Sequence, residues 1–225
     1  MNGPSIVKTQ VSDEGLVQRR RAQIVEAAVE LFSRNGFHRT TIMEVAALAG
    51  VSSGLIYQYV SDKEDVLLLA LLSILESYKR EIPLALEGLT DPLERFLAAV
   101  TAYCRIIDKR REATVLAYRS TKSLPPDRRR LIKDQELETN ELIAGCLRDG
   151  IAQGLFRAVN VDLMVYQLVS FAHNWALKYW RLKEICGFED YVGQGMDVYV
   201  RALLTRKGWA RYRKLHPTSD REAGS

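Results

Sequence analysis

The segment from Thr40 to Val66, TTIMEVAALAGVSSGLIYQYVSDKEDV, limits the fold of this chain more than any other part of the sequence. Thr41 lies three residues before Glu44, which is the spacing of a capping box at the start of a helix. Gly50 stands where a left-handed residue would turn the chain, and Ser52 or Ser53 can cap a second short helix. The segment therefore predicts two short helices joined by a tight turn, the outline of a DNA-reading helix-turn-helix.

Helical periodicity continues over most of the remaining sequence. Apolar residues recur at intervals of three and four, and no segment shows the alternation of a β-strand. Ser61 and Glu64 have the spacing of a second capping box, and Asp162 can cap a later helix. We therefore predict an all-α fold with further helices at about 19–35, 62–86, 91–107, 111–123, 127–153, 162–183 and 189–206.

The chain is predicted to divide into two helical domains between polar ends. Residues 1–17 contain Gly and Pro without periodicity, which is typical of a mobile tail. A three-helix helix-turn-helix domain is expected at 18–62, a larger helical domain at 63–206, and a second polar tail at 207–225. With 225 residues, of which 47% are apolar, the chain can bury a sizeable core.

Nothing in the sequence predicts a membrane span, a secretion signal or a disulfide framework. The N-terminus, MNGPSIVKTQ, lacks a basic segment followed by an apolar one. No apolar run approaches the ~18 residues that a membrane helix needs. Cys104, Cys146 and Cys186 are odd in number and widely spaced, so we expect a cytoplasmic protein with reduced thiols.

Catalytic and metal-binding patterns are absent from the sequence. The three histidines, His38, His173 and His216, show neither metal-ligand spacing nor the arrangement of a nucleophile and its base. No Gly-rich phosphate loop is present either, so we expect no enzyme activity, metal or cofactor. The net charge of +4 at pH 7 is compatible with a polyanionic partner but does not demonstrate one.

Residues 19–66 resemble the DNA-binding domain of the tetracycline-repressor (TetR) family. The similar motifs are LFSRNGF at the end of the first helix, TTIMEVAALAGVSSGLIYQY, and the SDKE that opens the fourth helix. One departure is Val60, where the family usually has Phe. The resemblance implies a homodimeric transcriptional repressor that a small-molecule effector releases from a palindromic double-stranded DNA operator.

The second short helix is predicted to enter the major groove of DNA, whose width admits a helix. Gln58 can pair with an adenine, Tyr57 and Tyr59 can hydrogen-bond phosphates, and Lys63 can reach another phosphate. The arginines at 19–21 precede the first helix and could reach the DNA backbone or minor groove. Alternatively, the serines act only as caps, the tyrosines lie partly in the core, and the arginines at 19–21 are only a solvated helix start. The predicted DNA-binding residues are Thr40, Thr41, Ser52, Ser53, Gly54, Tyr57, Gln58, Tyr59 and Lys63.

The resemblance implies that the larger domain binds an effector and forms the dimer through its last helices, 162–183 and 189–204. The predicted effector-binding residues are Tyr103, Ile107, Tyr118, Arg119, Cys146, Phe171 and Trp175. All but Arg119 are apolar or aromatic, as ligand pockets are, but such residues serve equally well as core.

The segment 91–183 is loosely similar to family members that sense acyl-CoA thioesters. In that reading Arg119 would hold a CoA phosphate by a charge-assisted contact, and the alternative for Arg119 is a solvated helix face. A different function also stays open, that of an architectural helix-turn-helix protein that binds DNA without any effector.

Overall fold

The computed structural model describes residue 7 and residues 9–216 of the 225-residue chain. In that part of the chain the fold is helical, with no β-sheet and with one isolated bridge between Phe156 and Leu204. The helices are α1 (Glu14–Asn35), α2 (Ile42–Leu48), α3 (Ser53–Tyr59), α4 (Lys63–Ala85), α5 (Pro92–Lys109), α6 (Arg111–Ser120), α7 (Pro126–Ala152), α8 (Val161–Leu177), α9 (Tyr179–Leu182), α10 (Phe188–Leu203) and α11 (Arg206–Leu215). The predicted all-α class is confirmed. No helix of the described residues is long and apolar enough to cross a membrane.

The chain separates into two compact units. The first unit contains the described residues up to Ser77 together with Arg110–Glu136. The second contains Tyr78–Lys109 together with the described residues from Leu137 onward. Helices α4 and α7 therefore each contribute residues to both units, whereas the sequence placed the domain limit at the start of α4.

The first three helices of the first unit pack around a shared apolar core. Helix α1 buries Ile24, Ala28 and Phe32. Val45 of α2 and Ile56 of α3 are buried completely. Burying an aliphatic or aromatic side chain of this size contributes ~1.5–3 kcal/mol, so this core fixes the orientation of the short α3.

The connection from α2 to α3 has the geometry that the sequence predicts. The Thr41 hydroxyl accepts a hydrogen bond from the Glu44 amide at 3.2 Å, and the Glu44 carboxylate accepts one from the Thr41 amide at 2.7 Å. Gly50 has a φ of +67°, where a side chain would be strained. Ser52 caps α3 by accepting a hydrogen bond from the Leu55 amide. The helix-turn-helix prediction is confirmed.

Helix α1 begins earlier than the sequence predicts. Asp13 caps it by accepting a hydrogen bond from a first-turn amide at 2.9 Å. The backbone before it is held too, because the Gln10 amide donates to the Gln58 carbonyl at 2.8 Å. The structure therefore shows helix and held backbone over 9–17, where a mobile tail was expected. Residues 1–6 and 8 of that predicted tail lie outside the described residues.

Two further helices are capped by side chains other than the predicted ones. Asp62 accepts a hydrogen bond from the Asp65 amide at 2.6 Å, so the cap of α4 lies one residue after the predicted Ser61. Asn160 caps α8 by accepting from a first-turn amide at 3.0 Å, two residues before the predicted Asp162. Both predictions were wrong because carboxylates, carboxamides and hydroxyls cap helices equally well.

Helix α11 occupies residues where a polar tail was predicted. Thr205 caps it by accepting a hydrogen bond from the Gly208 amide at 3.1 Å. Gly208 packs so tightly that an added Cβ would lie 2.1 Å from the Leu155 carbonyl oxygen. Half of the helix is Lys or Arg, and this composition concealed it in the sequence. The rest of the predicted tail, 217–225, lies outside the described residues.

Candidate nucleic-acid interface and effector site

Helix α3 presents an exposed polar face to solvent. Tyr57 is 49% exposed and Gln58 beside it is also exposed, whereas Ile56 is buried. Gly54 on the same helix is exposed, and a Cβ added there would meet nothing within 4 Å. Ser53 is half-buried. This face can approach another surface closely while offering a phenol and a carboxamide for hydrogen bonds.

Two of the predicted DNA contacts lie in the core of the first unit. Tyr59 is 2% exposed and Thr40 is 1% exposed, and the Thr40 hydroxyl donates to the Gly36 carbonyl at 3.0 Å. Neither side chain reaches the surface, so the core alternative holds for Tyr59. Thr41 and Ser52 are exposed, but their hydroxyls already cap α2 and α3.

Lys63 is directed at the protein's own backbone rather than at solvent. Its Nζ lies 2.9 Å from the Phe37 carbonyl oxygen, 3.1 Å from that of Thr40 and 3.4 Å from that of His38. The same nitrogen is 4.5 Å from the centroid of the Phe37 ring. An ammonium has three donors, and these carbonyls engage them. Lys63 therefore closes the turn between α1 and α2, a role different from the predicted phosphate contact.

Arg21 lies within α1 and holds the end of α3. Its Nε and Nη2 donate to the Tyr59 carbonyl at 3.1 Å and 2.8 Å, and Nη2 also donates to the Val7 carbonyl. The last carbonyls of a helix lack helical partners, so Arg21 satisfies one of them. Burial lowers the pKa of Arg21, and the nearby Asp65 carboxylate opposes that shift. The sequence suggested a DNA contact for this residue instead.

Asp65 is a buried carboxylate at the start of α4. It is 3% exposed, accepts a hydrogen bond from the Ser61 amide at 2.7 Å and pairs with Arg128 at 2.7 Å. Arg128 also pairs with Asp62 at 3.1 Å. Sequence reasoning missed Arg128, because no local pattern relates residues 65 and 128 and an Arg-rich helix start is typical of a solvated surface.

The predicted effector residues are divided between the two units. Tyr118 and Arg119 belong to the first unit and are exposed on α6. The other five belong to the second unit, where all are buried except the half-buried Phe171. Within the described residues, no group of three His, Cys, Asp or Glu side chains is placed to hold a metal ion.

Tyr103 is the centre of a polar and aromatic cluster in the second unit. Its hydroxyl lies 3.0 Å from Nε2 of His173, and its ring stacks on Tyr78 with 4.2 Å between centroids. Burial lowers the pKa of His173 to about 4, so this imidazole is neutral at pH 7. Nearby on α8, Trp175 donates from its indole nitrogen to Asp108 at 2.7 Å.

Phe171 joins α8 to α10. Its ring stacks on Tyr191 with 4.8 Å between centroids. It also covers Gly195 so closely that an added Cβ would fall 2.2 Å from the ring. Phe171 therefore packs between two helices, which is the core alternative to the predicted effector contact.

Comparison with known proteins decides the family. Residues 24–70 match the family described as bacterial regulatory proteins, tetR family, and residues 89–181 match the tetracyclin repressor-like C-terminal domain. The chain is 50% identical over 208 residues to the HTH-type transcriptional regulator HbdR of Aromatoleum sp. (strain CIB), over 92% of this chain and 91% of HbdR. The chain belongs to the TetR family of transcriptional regulators.

Other TetR-family proteins are similar over most of the chain. The HTH-type transcriptional repressor KstR2 of Mycobacterium tuberculosis is 29% identical over 199 residues, covering 86% of this chain and 97% of KstR2. The crystal structure of the TetR-family regulator PfmR from Thermus thermophilus matches with a TM-score of 0.70 at 27% identity, over 80% of this chain and 97% of PfmR. This TetR-family member is therefore a helix-turn-helix transcriptional regulator, and the architectural alternative is not favoured.

Proposed function

We propose that this TetR-family protein is a cytoplasmic repressor that binds a palindromic operator as a homodimer and is released by an apolar, acyl-CoA-like effector. The observation that carries the proposal is the exposed face of α3. Tyr57 and Gln58 lie on that face, next to the buried Ile56. That helix is held at its start by Ser52 and at its end by Arg21. A recognition helix fixed at both ends can present its side chains in one register.

Gln58 is the residue proposed to read sequence. A carboxamide can pair bidentately with adenine in the major groove, whereas the Tyr57 hydroxyl suits a phosphate and carries no base preference. Arg19 and Arg39 are exposed in the same unit and supply positive charge for the backbone. Gly54 leaves room for the close approach that groove binding needs.

The dimer is proposed to form through α8 and α10. These helices contact each other and carry large apolar side chains on the surface: Leu163 is 58% exposed, Tyr166 42% and Val198 65%. Gly193 of α10 is exposed, with nothing within 4 Å of an added Cβ. A dimer is needed because two recognition helices must lie about 34–36 Å apart to read successive major grooves.

Effector binding is proposed to act on α3 through α4 and α7, which both contribute residues to the two units. Arg128 at the start of α7 holds Asp62 and Asp65 at the start of α4. Asp65 in turn acts electrostatically on Arg21, which holds the end of α3. An effector that prefers the non-binding arrangement by ~1–3 kcal/mol is sufficient for such coupling.

An apolar effector is supported by the second unit and by one relative. Tyr103, Ile107, Cys146 and Trp175 are buried there and provide apolar surface. KstR2 of M. tuberculosis is described as a ketosteroid transcriptional regulator, and a ketosteroid is a largely apolar molecule. Arg119, suggested by the resemblance as a contact for CoA phosphates, is exposed in the first unit.

The proposal is tested by selecting bound duplexes from a random-sequence pool at fixed salt and sequencing them. Enrichment of a palindrome is the expected result, followed by release of that duplex when a panel of acyl-CoA thioesters is added. Salt-sensitive binding without enrichment would indicate an architectural protein instead. Enrichment without release by any thioester would support the binding of a palindromic operator but overturn the proposed acyl-CoA effector.

A further inference from the structure

Asn140 of α7 is a polar side chain that the fold itself does not use. The residue is 5% exposed, and neither its Nδ2 nor its Oδ1 has a hydrogen-bond partner within residues 7 and 9–216. A buried carboxamide without partners is unfavourable, because it has lost its hydrogen bonds to water and has formed none within the protein. A partner from outside the chain is one cause of such an unpaired group in a folded protein.

Asn140 lies near a contact between α7 and α4 in the second unit. Glu138, two residues earlier on α7, pairs with Lys79 of α4. Lys79 is adjacent to Tyr78, whose ring stacks on Tyr103. Residues two positions apart in a helix lie about 200° apart around its axis. The Glu138 side chain is 56% exposed, whereas Asn140, on the other side of α7, is buried. Asn140 therefore points into the interior of the second unit.

Three polar side chains inside the second unit carry no charge of their own at pH 7. Tyr103 contributes a phenol and Asn140 a carboxamide. His173, 3.0 Å from the Tyr103 hydroxyl, contributes an imidazole that burial keeps neutral at pH 7. Ile107, one helical turn from Tyr103, is completely buried and adds apolar surface.

We propose that Asn140, Tyr103 and His173 bind the buried end of the effector through a neutral oxygen group, a hydroxyl or a carbonyl, on its otherwise apolar acyl part. This inference rests on the proposed effector function and narrows its ligand. A carboxamide has two donors and an acceptor, so either oxygen group satisfies it. A carboxylate at the same place would bury a charge that the neutral imidazole does not offset.

The first test is the stability of the full-length protein without added ligand. Asn140→Leu removes the unpaired amide while keeping a similar size, and we expect it to raise the thermal midpoint by about 2–4 °C. Glu138→Gln, on the same helix, is the control. It breaks only an exposed ion pair with Lys79, worth ~0–1 kcal/mol, and should not raise the midpoint. A lower midpoint for Asn140→Leu than for the wild type would mean that the amide is already bonded within the fold, and would overturn the inference.

The second test uses four ring-matched probes: cyclohexanol, cyclohexanone, methylcyclohexane and cyclohexanecarboxylate. We expect cyclohexanol or cyclohexanone to raise the wild-type midpoint more than the other two probes do. Their affinity should fall about fivefold to tenfold in Asn140→Leu, the loss of one hydrogen bond, and should be kept in Glu138→Gln. The stronger of the two probes identifies the group as hydroxyl or carbonyl.

Tyr103→Phe is the second variant and removes only a hydroxyl, so it serves if Asn140→Leu does not fold. It should weaken the same two probes by a similar factor. Equal probe affinity in wild type and variants, or no preference of the wild type for the oxygenated neutral probes, would overturn the inference. Operator binding of each variant is measured in parallel. If operator binding is retained while the probe result is negative, this inference fails but the proposed repressor function does not.

Discussion

The guanidinium of Arg128 lies 2.7 Å from the buried carboxylate of Asp65 and so joins the start of α7 to the start of α4. The side chains are 22% and 5% exposed, respectively. Removing one partner of such a pair is costly, because the other charge stays buried without compensation. The pair therefore holds the first unit together at the point where the proposed effector response would enter it.

Arg128→Ala is expected to lower the free energy of unfolding by ~2–4 kcal/mol, because Asp65 is left as an unpaired buried charge. Urea unfolding of the purified protein measures this. Arg34→Ala is the control, since Arg34 and Glu30 form an exposed ion pair with 68% and 46% of their side chains accessible. An exposed pair of this kind contributes ~0–1 kcal/mol, so equal losses in the two variants would contradict the assignment.

Lys63→Met is expected to weaken operator binding without changing its dependence on salt. The variant keeps much of the aliphatic stem but removes the ammonium that closes the α1–α2 turn through the Phe37 and Thr40 carbonyls. A lost phosphate contact would instead lower the slope of log K against log salt by ~1. Binding titrations over a salt series distinguish the two, and Arg39→Ala, at an exposed residue, is the matched variant in which the slope should fall.

Gln58→Ala is expected to relax the preference for one base pair of the operator by ~1–3 kcal/mol, because a bidentate contact is lost. Selection from random duplexes should then show one position per half-site becoming degenerate. Tyr57→Phe, the neighbouring control, should weaken binding to all sequences alike, since a phosphate contact carries no base preference. An unchanged selected sequence for Gln58→Ala would assign base reading to another residue.

Sequence predicted the features whose determinants are close together in the chain. Thr41 and Glu44 are three residues apart, and Gly50 marks its turn alone, so the helix-turn-helix was visible without a structure. The contacts that hold α3 and α4 could not be predicted from the sequence, because their partners are far apart in the chain. Arg21, for example, contacts Tyr59, 38 residues later. Helical periodicity shows which residues face inward, but not which distant residue a buried charge will meet.

Lys63 shows the same limit at the candidate site. Its position beside the helix-turn-helix suggested a phosphate contact, but its partners are carbonyls 23 and 26 residues earlier. Asn140 was not singled out at all, since one carboxamide on a polar-faced helix has no pattern of its own. Only its burial without a partner distinguishes it.

Gly195→Ala is expected to lower the thermal midpoint, since its Cβ would lie 2.2 Å from the Phe171 ring and force α8 from α10. Gly193→Ala, two residues away in the same helix, meets nothing within 4 Å. In a monomer it should stabilise the helix by ~0.5–1 kcal/mol. If this face forms the dimer, Gly193→Ala should weaken dimerisation instead, as sedimentation velocity over a concentration series would show. An unaffected dimer would place the interface elsewhere.

His173 is expected to make the protein less stable as the pH falls. Burial lowers its pKa in the folded state from 6.5 to about 4. Above pH 6.5 the imidazole is neutral in both states, but below it the unfolded chain takes up a proton that the folded chain does not. Stability should therefore fall by ~2 kcal/mol between pH 6.5 and pH 5.

Urea unfolding at a series of pH values measures this dependence. His173→Gln removes the titrating group and should flatten the dependence over that range, whereas His38→Gln, at an exposed residue, should leave it unchanged. A slope that persists in His173→Gln would assign the proton uptake to another group. Since the lower limit of pH 5 lies above the ordinary pKa of Asp and Glu, general acid unfolding contributes little within this window.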